Sequence, residues 1–361
     1  MTKDDAPPAA DEPAPPSPDA RPAATGSVQA ASRGAPPAPG EERGLSRRDV
    51  LRVAACAGMA AGGVAFGLAI RDRNPGGRQR KLAAIRDHRV ARPAGAVGMA
   101  IVRGPDAAAN VTRALEALGG ISAFVRRGDK VAIKPNVGWN RLPEQAANTN
   151  PDVVAQLVRM VIAAGAARVW VTDYPVNTAE RCFERSGIRK AALAAGATVV
   201  MPDANNFRDI EVGGKFLRVA EALYPIVDAD RVINVPLVKQ HGLSGATIAM
   251  KNWYGVIGGH RVRLHQDIHR AIVELAAMVK PTLTVLDATR VLLANGPSGG
   301  SLADVKRVDT IAASTDEVAL DAFGVTLLGL KAADVSFIAE AEKAGLGKAD
   351  WKSLKLVEVG G

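Results

Sequence analysis

Cysteine and aromatic residues are scarce in this sequence. Only two cysteines occur in 361 residues, which excludes a disulfide framework and any cluster that needs four thiolates from this chain. Phenylalanine, tryptophan and tyrosine together make up 4% of the chain, so little surface is available for stacking bases. The net charge is +9, and the basic residues are scattered rather than grouped in runs. We therefore predict no nucleic-acid partner and expect a small anionic ligand.

Long hydrophobic runs are also missing. No stretch of 20 residues is strongly apolar, which excludes a polytopic membrane protein. Apolar residue types nevertheless make up 47% of the chain, enough for a substantial core, so disorder of the whole chain is excluded as well.

The first 70 residues differ in composition from the rest. Residues 1–44 are rich in proline and alanine and show no hydrophobic period, so we predict a disordered leader. In residues 45–70, the pair Arg47 and Arg48 precedes an uncharged, weakly hydrophobic run over residues 53–70. This arrangement resembles a twin-arginine export signal. The alternative is a buried amphipathic helix that begins with two arginines.

A twin-arginine signal implies a location and a partner. The partner is the twin-arginine translocase during export, and the folded part is then periplasmic or anchored to the outer face of the inner membrane. Residues 53–70 are either cleaved with the signal or kept as an N-terminal anchor, since 18 residues lie near the lower limit for spanning a bilayer. They are the one segment expected to contact membrane.

The remaining chain alternates strands with helices. We predict a tether over residues 71–96, with a short helix at Lys81–His88, and a single α/β domain over residues 97–361. Buried strands are expected at Lys130–Lys134, Arg168–Asp173 and Asp230–Pro236, and helices at Pro151–Gly165 and His265–Val279. Ser314 to Glu317 is interpreted as a capping box that opens the next helix. The predicted fold class is α/β: a mostly parallel (mixed) sheet with helices on both faces, in three layers.

Polar residues close several of these strands. Ligands collect where the carboxyl ends of parallel strands meet loops. Such positions here are Lys134 with Asn136, Asp173, Lys239 with His241, and Asp287. Each alone is more typical of a half-exposed solubilising residue, but several at one edge indicate a site.

The segment from Lys239 to His269 holds most of the remaining polar chemistry. Four of the five histidines lie in it. The candidate catalytic residues are His241, His265 and Lys251. The candidate substrate-binding residues are Lys134, Asn136, Lys239, Asn252, Arg261 and Arg263, whose side chains suit carboxylate or phosphate. His265 and His269 are four residues apart, the spacing of two imidazole metal ligands on a helix. The alternative for these two is a pair of core-edge histidines.

The ordered combination of these motifs is specific. It comprises Lys134-Pro-Asn136, Thr149-Asn-Pro151, Lys239-x-His241, Thr247-x-x-x-Lys251-Asn252-x-x-Gly255, Arg263-x-His265, Asp287, Gly296-Pro297 and Ser314-Thr315-Asp316-x-x-Ala319-x-Asp321. Over about residues 97–350 the chain resembles the bacterial and archaeal family called domain of unknown function 362. Some members carry ferredoxin-type cysteine clusters. This chain departs from them, because only Cys182 follows the signal, so an iron–sulfur cluster is not carried over; the resemblance implies no established reaction.

Two functions are therefore open. The first is an exported enzyme that acts on a small anionic substrate through a Lys/His/Arg cluster, with His241 or His265 moving protons. The second is a non-catalytic periplasmic factor that uses the same cluster to bind a metal or an anion. The sequence identifies no cofactor, and the histidine pair leaves a divalent metal open. Cys182, in a predicted helix at Ala179–Arg185, is expected to be a structural thiol.

Overall fold

Strands and helices alternate through residues 82–259 and 261–360, the part of the chain that this computed structural model describes. The strands are β1 (Ala83–Ala84), β2 (Met99–Arg103), β3 (Lys130–Pro135), β4 (Arg168–Thr172), β5 (Thr198–Val200), β6 (Phe207–Glu211), β7 (Val219–Leu223), β8 (Arg231–Val235), β9 (Leu237–His241), β10 (Gly245–Thr247), β11 (Leu283–Leu292), β12 (Val305–Ser314) and β13 (Leu356–Val359). The helices are α1 (Ala107–Ala117), α2 (Pro151–Ala163), α3 (Ala179–Arg185), α4 (Ile188–Ala194), α5 (Tyr224–Asp228), α6 (Ile268–Val279), α7 (Glu317–Leu327) and α8 (Ser336–Lys343). The predicted leader and export signal, residues 1–44 and 45–70, lie outside the described residues.

The main sheet is mixed, as predicted. Its strand order is β13-β2-β12-β11-β8-β3-β4-β5. The strands from β11 through β8, β3 and β4 to β5 run parallel, whereas β12 is antiparallel to both of its neighbours. Consequently the carboxyl ends of β8, β3 and β4 meet at one edge of the sheet, and β11 continues past that edge. Strand β9 continues beyond that edge, paired with the second half of β11 and with the short strand β10.

Two hydrophobic clusters cover the two faces of this sheet. Along β2, Ala100 and Val102 face the cluster formed by α1 and α2, while Met99 and Ile101 face the cluster formed by α6, α7 and α8. A strand that is buried on both faces needs a nearly continuous apolar sequence. The central strands could therefore be predicted from short hydrophobic runs in the sequence. This confirms the three-layer α/β fold.

Residues 82–96, which we expected to belong to a tether, pack against the domain. Strand β1 joins β6 and β7 in a separate three-stranded sheet. The His88 side chain is fully buried, and its backbone carbonyl accepts a hydrogen bond from the Thr282 hydroxyl at 2.7 Å. The short helix predicted at Lys81–His88 is wrong for the described residues of that range. Ala83 and Ala84 form β1, which pairs with β6, and the other described residues of this range are not helical.

Two predicted helix starts are corrected by the structure. The helix expected from His265 begins at Ile268 with Asp267 as its cap, and residues 261–267 form a 3₁₀ segment. The helix after β12 is capped by Asp316, whose side chain accepts from the Ala319 amide at 2.9 Å. Glu317 does not complete a capping box, because its carboxylate turns into the core and accepts hydrogen bonds there.

A candidate anion pocket at the edge of the sheet

The carboxyl ends of the parallel strands open into a cavity of about 620 Å³. Lys134 and Asn136 come from the end of β3, and Lys239 and His241 from β9. Lys251 and Asn252 lie in a buried 3₁₀ segment, Met250–Val256, and Arg261 and His265 in the 3₁₀ segment Arg261–Asp267. The structure thus brings together eight of the predicted site residues, which all line this cavity: Lys134, Asn136, Lys239, His241, Lys251, Asn252, Arg261 and His265.

Lys134 is fully buried, and its amine has both an ion-pair partner and a hydrogen-bond acceptor. Its Nζ atom lies 2.9 Å from Asp173 Oδ1 and donates to Asn252 Oδ1 at 2.7 Å. Burial lowers the pKa of Lys134, while the negative charge of Asp173 opposes that effect. Asp173 Oδ2 also accepts from the Val137 amide at 2.6 Å. Asp173 follows β4, and the sequence analysis noted this strand end without assigning Asp173 to the site. The sequence could have indicated Asp173 only as a carboxylate at the end of a hydrophobic strand, beside a strand that ends in lysine.

Lys239 is the second buried cation. Its Nζ atom donates to the Ala147 carbonyl at 2.7 Å and to Asn136 Oδ1 at 3.1 Å. The Asn136 amide in turn donates to Asn252 Oδ1 at 2.9 Å, so the two amide side chains link the two lysines. Burial, followed by the charge of Lys251, holds the pKa of Lys239 well below its usual range.

Lys251 is held differently from the other two lysines. Its side chain is buried, and its Nζ atom lies 4.8 Å from the centroid of the Tyr254 ring. Among the residues that the structure describes, no acceptor lies within hydrogen-bond distance of this Nζ. Burial lowers the pKa of Lys251 to about 7, so both protonation states are populated near neutral pH.

Gly255 lets the backbone approach the buried ion pair. A Cβ at this position would overlap Asp173 Oδ1 and lie 2.7 Å from Lys134 Nζ. The Gly255 carbonyl accepts from the Tyr174 amide at 2.6 Å, which ties the 3₁₀ segment to the loop after β4. The glycine-rich character seen in the sequence at this point therefore has a local steric reason.

His241 is placed to donate a hydrogen bond. Its Nδ1 atom accepts from the amides of Leu243 and Ser244 at 3.2 and 3.3 Å. Burial, with the charges of Lys251 and Lys239, lowers its pKa to about 3. The hydrogen-bond network therefore assigns a neutral ring with its proton on Nε2. This arrangement suits a donor to a ligand better than a proton carrier.

Arg261 and His265 form the outer wall of the pocket. The Arg261 guanidinium donates to the carbonyls of Tyr174 and Pro175, both at 2.6 Å, and stacks on the Tyr174 ring. The His265 side chain is exposed, and its ring meets the Tyr254 ring edge-on, with centroids 5.7 Å apart.

Arg263 and His269 are placed apart from the pocket. Arg263 is exposed on the 3₁₀ segment and does not line the cavity. His269 stacks against Phe337, with ring centroids 6.3 Å apart. Because His265 lies in a 3₁₀ segment and His269 in α6, the helical wheel that placed them on one face does not apply. Within the described residues, no group of three or more His, Cys, Asp or Glu side chains could hold a metal ion.

Asp287, another predicted strand-end residue, shapes the fold near the site. Its carboxylate accepts from the Asn150 amide at 2.7 Å and from the amide and hydroxyl of Thr289. Asn150 itself caps α2 by accepting from the Asp152 amide at 3.0 Å. Asp287 therefore fixes the start of α2, and it does not line the pocket.

Two acidic side chains of α7 support the floor of the pocket. Asp321 accepts from the amides of Ala249 and Met250, and Glu317 accepts from Trp253 Nε1 at 2.9 Å and from Asn234 Nδ2 at 2.6 Å. Both carboxyl groups are fully buried, and burial raises the pKa of each. Asp321 thus holds the backbone before Lys251, and Glu317 holds the Trp253 side chain after Asn252.

Replacing Cys182 by serine is expected to leave ligand retention unchanged. The thiol is buried in α3, and burial raises its pKa to about 11, so the reactive thiolate is suppressed at neutral pH. The serine hydroxyl is expected to lower the free energy of unfolding by about 1–2 kcal/mol, because a polar group then replaces the thiol within a hydrophobic cluster. Denaturant unfolding and mass spectrometry of the purified variant check both statements; loss of ligand with an intact fold would contradict them.

Comparison with known proteins gives one family. The model of the family described as "Domain of unknown function (DUF362)" matches residues 131–326. A thylakoid-associated protein from Synechocystis sp. is 30% identical over 247 residues, which cover 66% of this chain and 75% of that protein.

Two of the solved structures that match this chain align with part of it. The lactate racemase apoprotein of Thermoanaerobacterium thermosaccharolyticum aligns at 16% identity with a TM-score of 0.37, over 66% of this chain and 58% of that one. A protein from Thermotoga maritima aligns at 11% identity with a TM-score of 0.36, over 63% and 60%. This chain thus covers less than two thirds of either structure.

Proposed function

This chain belongs to the DUF362 family, and we propose that it is an exported enzyme that binds a small organic anion in the described pocket and transfers a proton to or from it. The charge balance of the lining carries the proposal. Lys134, Lys239, Lys251 and Arg261 face the cavity, and Asp173 is the one carboxylate among the described residues that line it. Buried cations without counter-ions are costly, and an anionic ligand supplies the missing charge.

We select three groups as contacts for this anion, because each lines the cavity and has no protein hydrogen-bond partner among the described residues. They are the Lys251 amine, the Nε2–H of His241 and the hydroxyl of Thr247, which is buried. Lys251 has a pKa of about 7, which suits a group that accepts and returns a proton near neutral pH. His265, at the exposed mouth, would exchange that proton with solvent.

A divalent metal is not part of this proposal. The spacing of His265 and His269 favoured one, but the two rings have different surroundings, against Tyr254 and Phe337 respectively. The ring of His269 also does not line the cavity.

Native purification tests the proposal. The full chain, purified without denaturation, is expected to retain a small anion that native mass spectrometry detects and that denaturation releases. Incubation of the identified compound with fresh protein should convert it. Replacement of His265 by alanine should slow turnover and leave the compound bound, because His265 lies at the mouth. Retention without conversion in the wild-type protein would favour the non-catalytic binding factor, and a purified protein without any bound anion would contradict both functions.

We further propose that export follows the twin-arginine route. Support comes from Arg47 and Arg48 and from the weakly hydrophobic run after them, which all lie outside the described residues. Among the helices that the structure does describe, none is long and apolar enough to cross a membrane.

Replacing Arg47 and Arg48 together by lysine is expected to leave the protein in the cytoplasm. Lysine keeps the charge but lacks the planar, delocalised guanidinium that distinguishes arginine. Fractionation with an antibody against the folded part measures the distribution. An Arg52→Lys variant serves as the matched control and should be exported normally. Undiminished periplasmic recovery of the double variant would overturn the proposed route.

A further inference from the structure

One amine in the pocket is free of protein acceptors among the described residues. Lys134 and Lys239 both donate to side-chain or backbone oxygens. The Nζ atom of Lys251 lies 4.8 Å from the centroid of the Tyr254 ring and makes no hydrogen bond to a described residue. A buried lysine in this situation differs from an ion-pairing one, because its nitrogen is available to an incoming group.

We propose that Lys251 forms a reversible imine with a small aldehyde or ketone that also carries an anionic group. The inference rests on the proposed function, because the same cationic pocket holds the anionic group. It adds the class of substrate and the covalent role of one residue, which anion binding alone does not require.

The covalent step is balanced without an oxidant or reductant. The uncharged Nζ attacks the carbonyl carbon, a C–N bond forms, and the carbonyl electron pair moves to oxygen. The two hydrogens of the amine end on that oxygen, which leaves as water, and the C=N bond forms. The depressed pKa of Lys251 supports the step, because a substantial fraction of the amine is uncharged near neutral pH.

Hydrogen bonds from α7 hold the segment that carries Lys251. Asp321 accepts hydrogen bonds from the amides of Ala249 and Met250, and the indole of Trp253 donates to Glu317. A nucleophile held on a rigid segment needs little reorganisation to reach a bound carbonyl. The Lys251 amine therefore reaches the cavity from a buried 3₁₀ segment rather than from an exposed loop.

Hydrogen-bond donors for the departing oxygen line the same cavity. The hydroxyl of Thr247 is buried with no partner among the described residues, and His241 keeps a proton on Nε2. The anionic group of the substrate would balance the charges of Lys239 and Arg261, which line the same cavity. A carbonyl compound without such a group lacks this anchor and should react slowly.

Reductive trapping tests the proposal. The full-length protein is incubated with glyoxylate, glycolaldehyde phosphate or uncharged glycolaldehyde in the presence of cyanoborohydride, which delivers hydride to an imine carbon and leaves a stable secondary amine. Peptide mapping should locate the adduct at Lys251, with a rate for one of the two anionic compounds at least about tenfold above that for glycolaldehyde, equivalent to 1.4 kcal/mol. A faster reaction with glyoxylate would indicate a carboxylate substrate, and a faster reaction with glycolaldehyde phosphate would indicate a phosphate substrate.

Matched variants and a separate binding measurement distinguish the outcomes. Lys251→Met should abolish the adduct, whereas Lys352→Met should not, although Lys352 also lies over an aromatic ring at the surface. Calorimetry with oxalate and with inorganic phosphate, which cannot form an imine, measures anion binding alone. Binding of either anion without an adduct at Lys251, or equal labelling of exposed lysines, overturns the imine and keeps the anion pocket. Absence of both binding and adduct overturns the proposed function as well.

Discussion

Replacing Lys134 by methionine is expected to lower the free energy of unfolding by about 3–5 kcal/mol, because the change leaves a buried carboxylate without its counter-ion. Asp173 is 2% exposed, and Lys134 Nζ at 2.9 Å is its ion-pair partner. Asn252 Oδ1 would lose a donor at the same time. Urea unfolding at neutral pH, followed by circular dichroism, measures the change.

The double variant Lys134→Met, Asp173→Asn is the control. With both charges removed, the asparagine oxygen can still accept from the Val137 amide, so a substantial part of the lost stability should return. A single variant that loses less than about 1 kcal/mol, or a double variant that is less stable than the single one, would contradict the view that a buried ion pair organises this edge of the sheet.

The sheet and its flanking helices were predictable because burial on both faces leaves a clear pattern. Strands β3, β4 and β8 are short apolar runs, and Asn150 before Pro151 marks the start of α2 through the capping chemistry of asparagine. The prediction that polar strand ends meet at one edge followed from parallel pairing alone. The sequence therefore predicts eight of the residues that line the pocket, including all three of its lysines among the described residues.

The parts that sequence reasoning missed depend on contacts between distant residues. The 3₁₀ segment Arg261–Asp267 has a helical pattern, and only its packing shows that regular helix begins at Ile268. Glu317 fits the spacing of a capping box, yet its carboxylate binds Asn234, Trp253 and Thr284 in the core. Arg263 could not be separated from Arg261 by residue type, since only the fold points one of them at the pocket.

The three pocket lysines thus have different physical roles despite identical chemistry. Lys134 is stabilised by a carboxylate, and Lys239 by an amide oxygen and a carbonyl. Lys251 lacks such a partner among the described residues. This contrast predicts that replacement by methionine lowers the free energy of unfolding at Lys134 and raises it at Lys251. A cluster of basic residues with a purely structural role would not show such opposite effects.

Replacing Lys251 by methionine is expected to raise the free energy of unfolding by roughly 2–4 kcal/mol at pH 6.5 and to abolish anion retention. Methionine keeps much of the aliphatic stem but removes a charge that burial disfavours. Because the folded-state pKa is about 7 and the ordinary value is 10.5, the cost of holding this charge is complete below pH 7. It declines as the pH rises towards 10.5, where the amine is neutral in both the folded and the unfolded state.

The difference in free energy of unfolding between the Lys251→Met variant and the wild-type protein should therefore decrease as the pH rises. Between pH 7 and 10.5 the unfolded chain binds the proton and the folded protein does not, so the wild-type protein gains stability from this residue across that window. Urea unfolding of both proteins at pH 6.5, 8 and 9.5 measures the difference. Lys352→Met, at an exposed lysine, should show no such trend. A difference that is constant with pH would mean that packing rather than charge distinguishes the two proteins. A less stable Lys251→Met variant at pH 6.5 would show that the lysine is retained for the fold and not for a ligand.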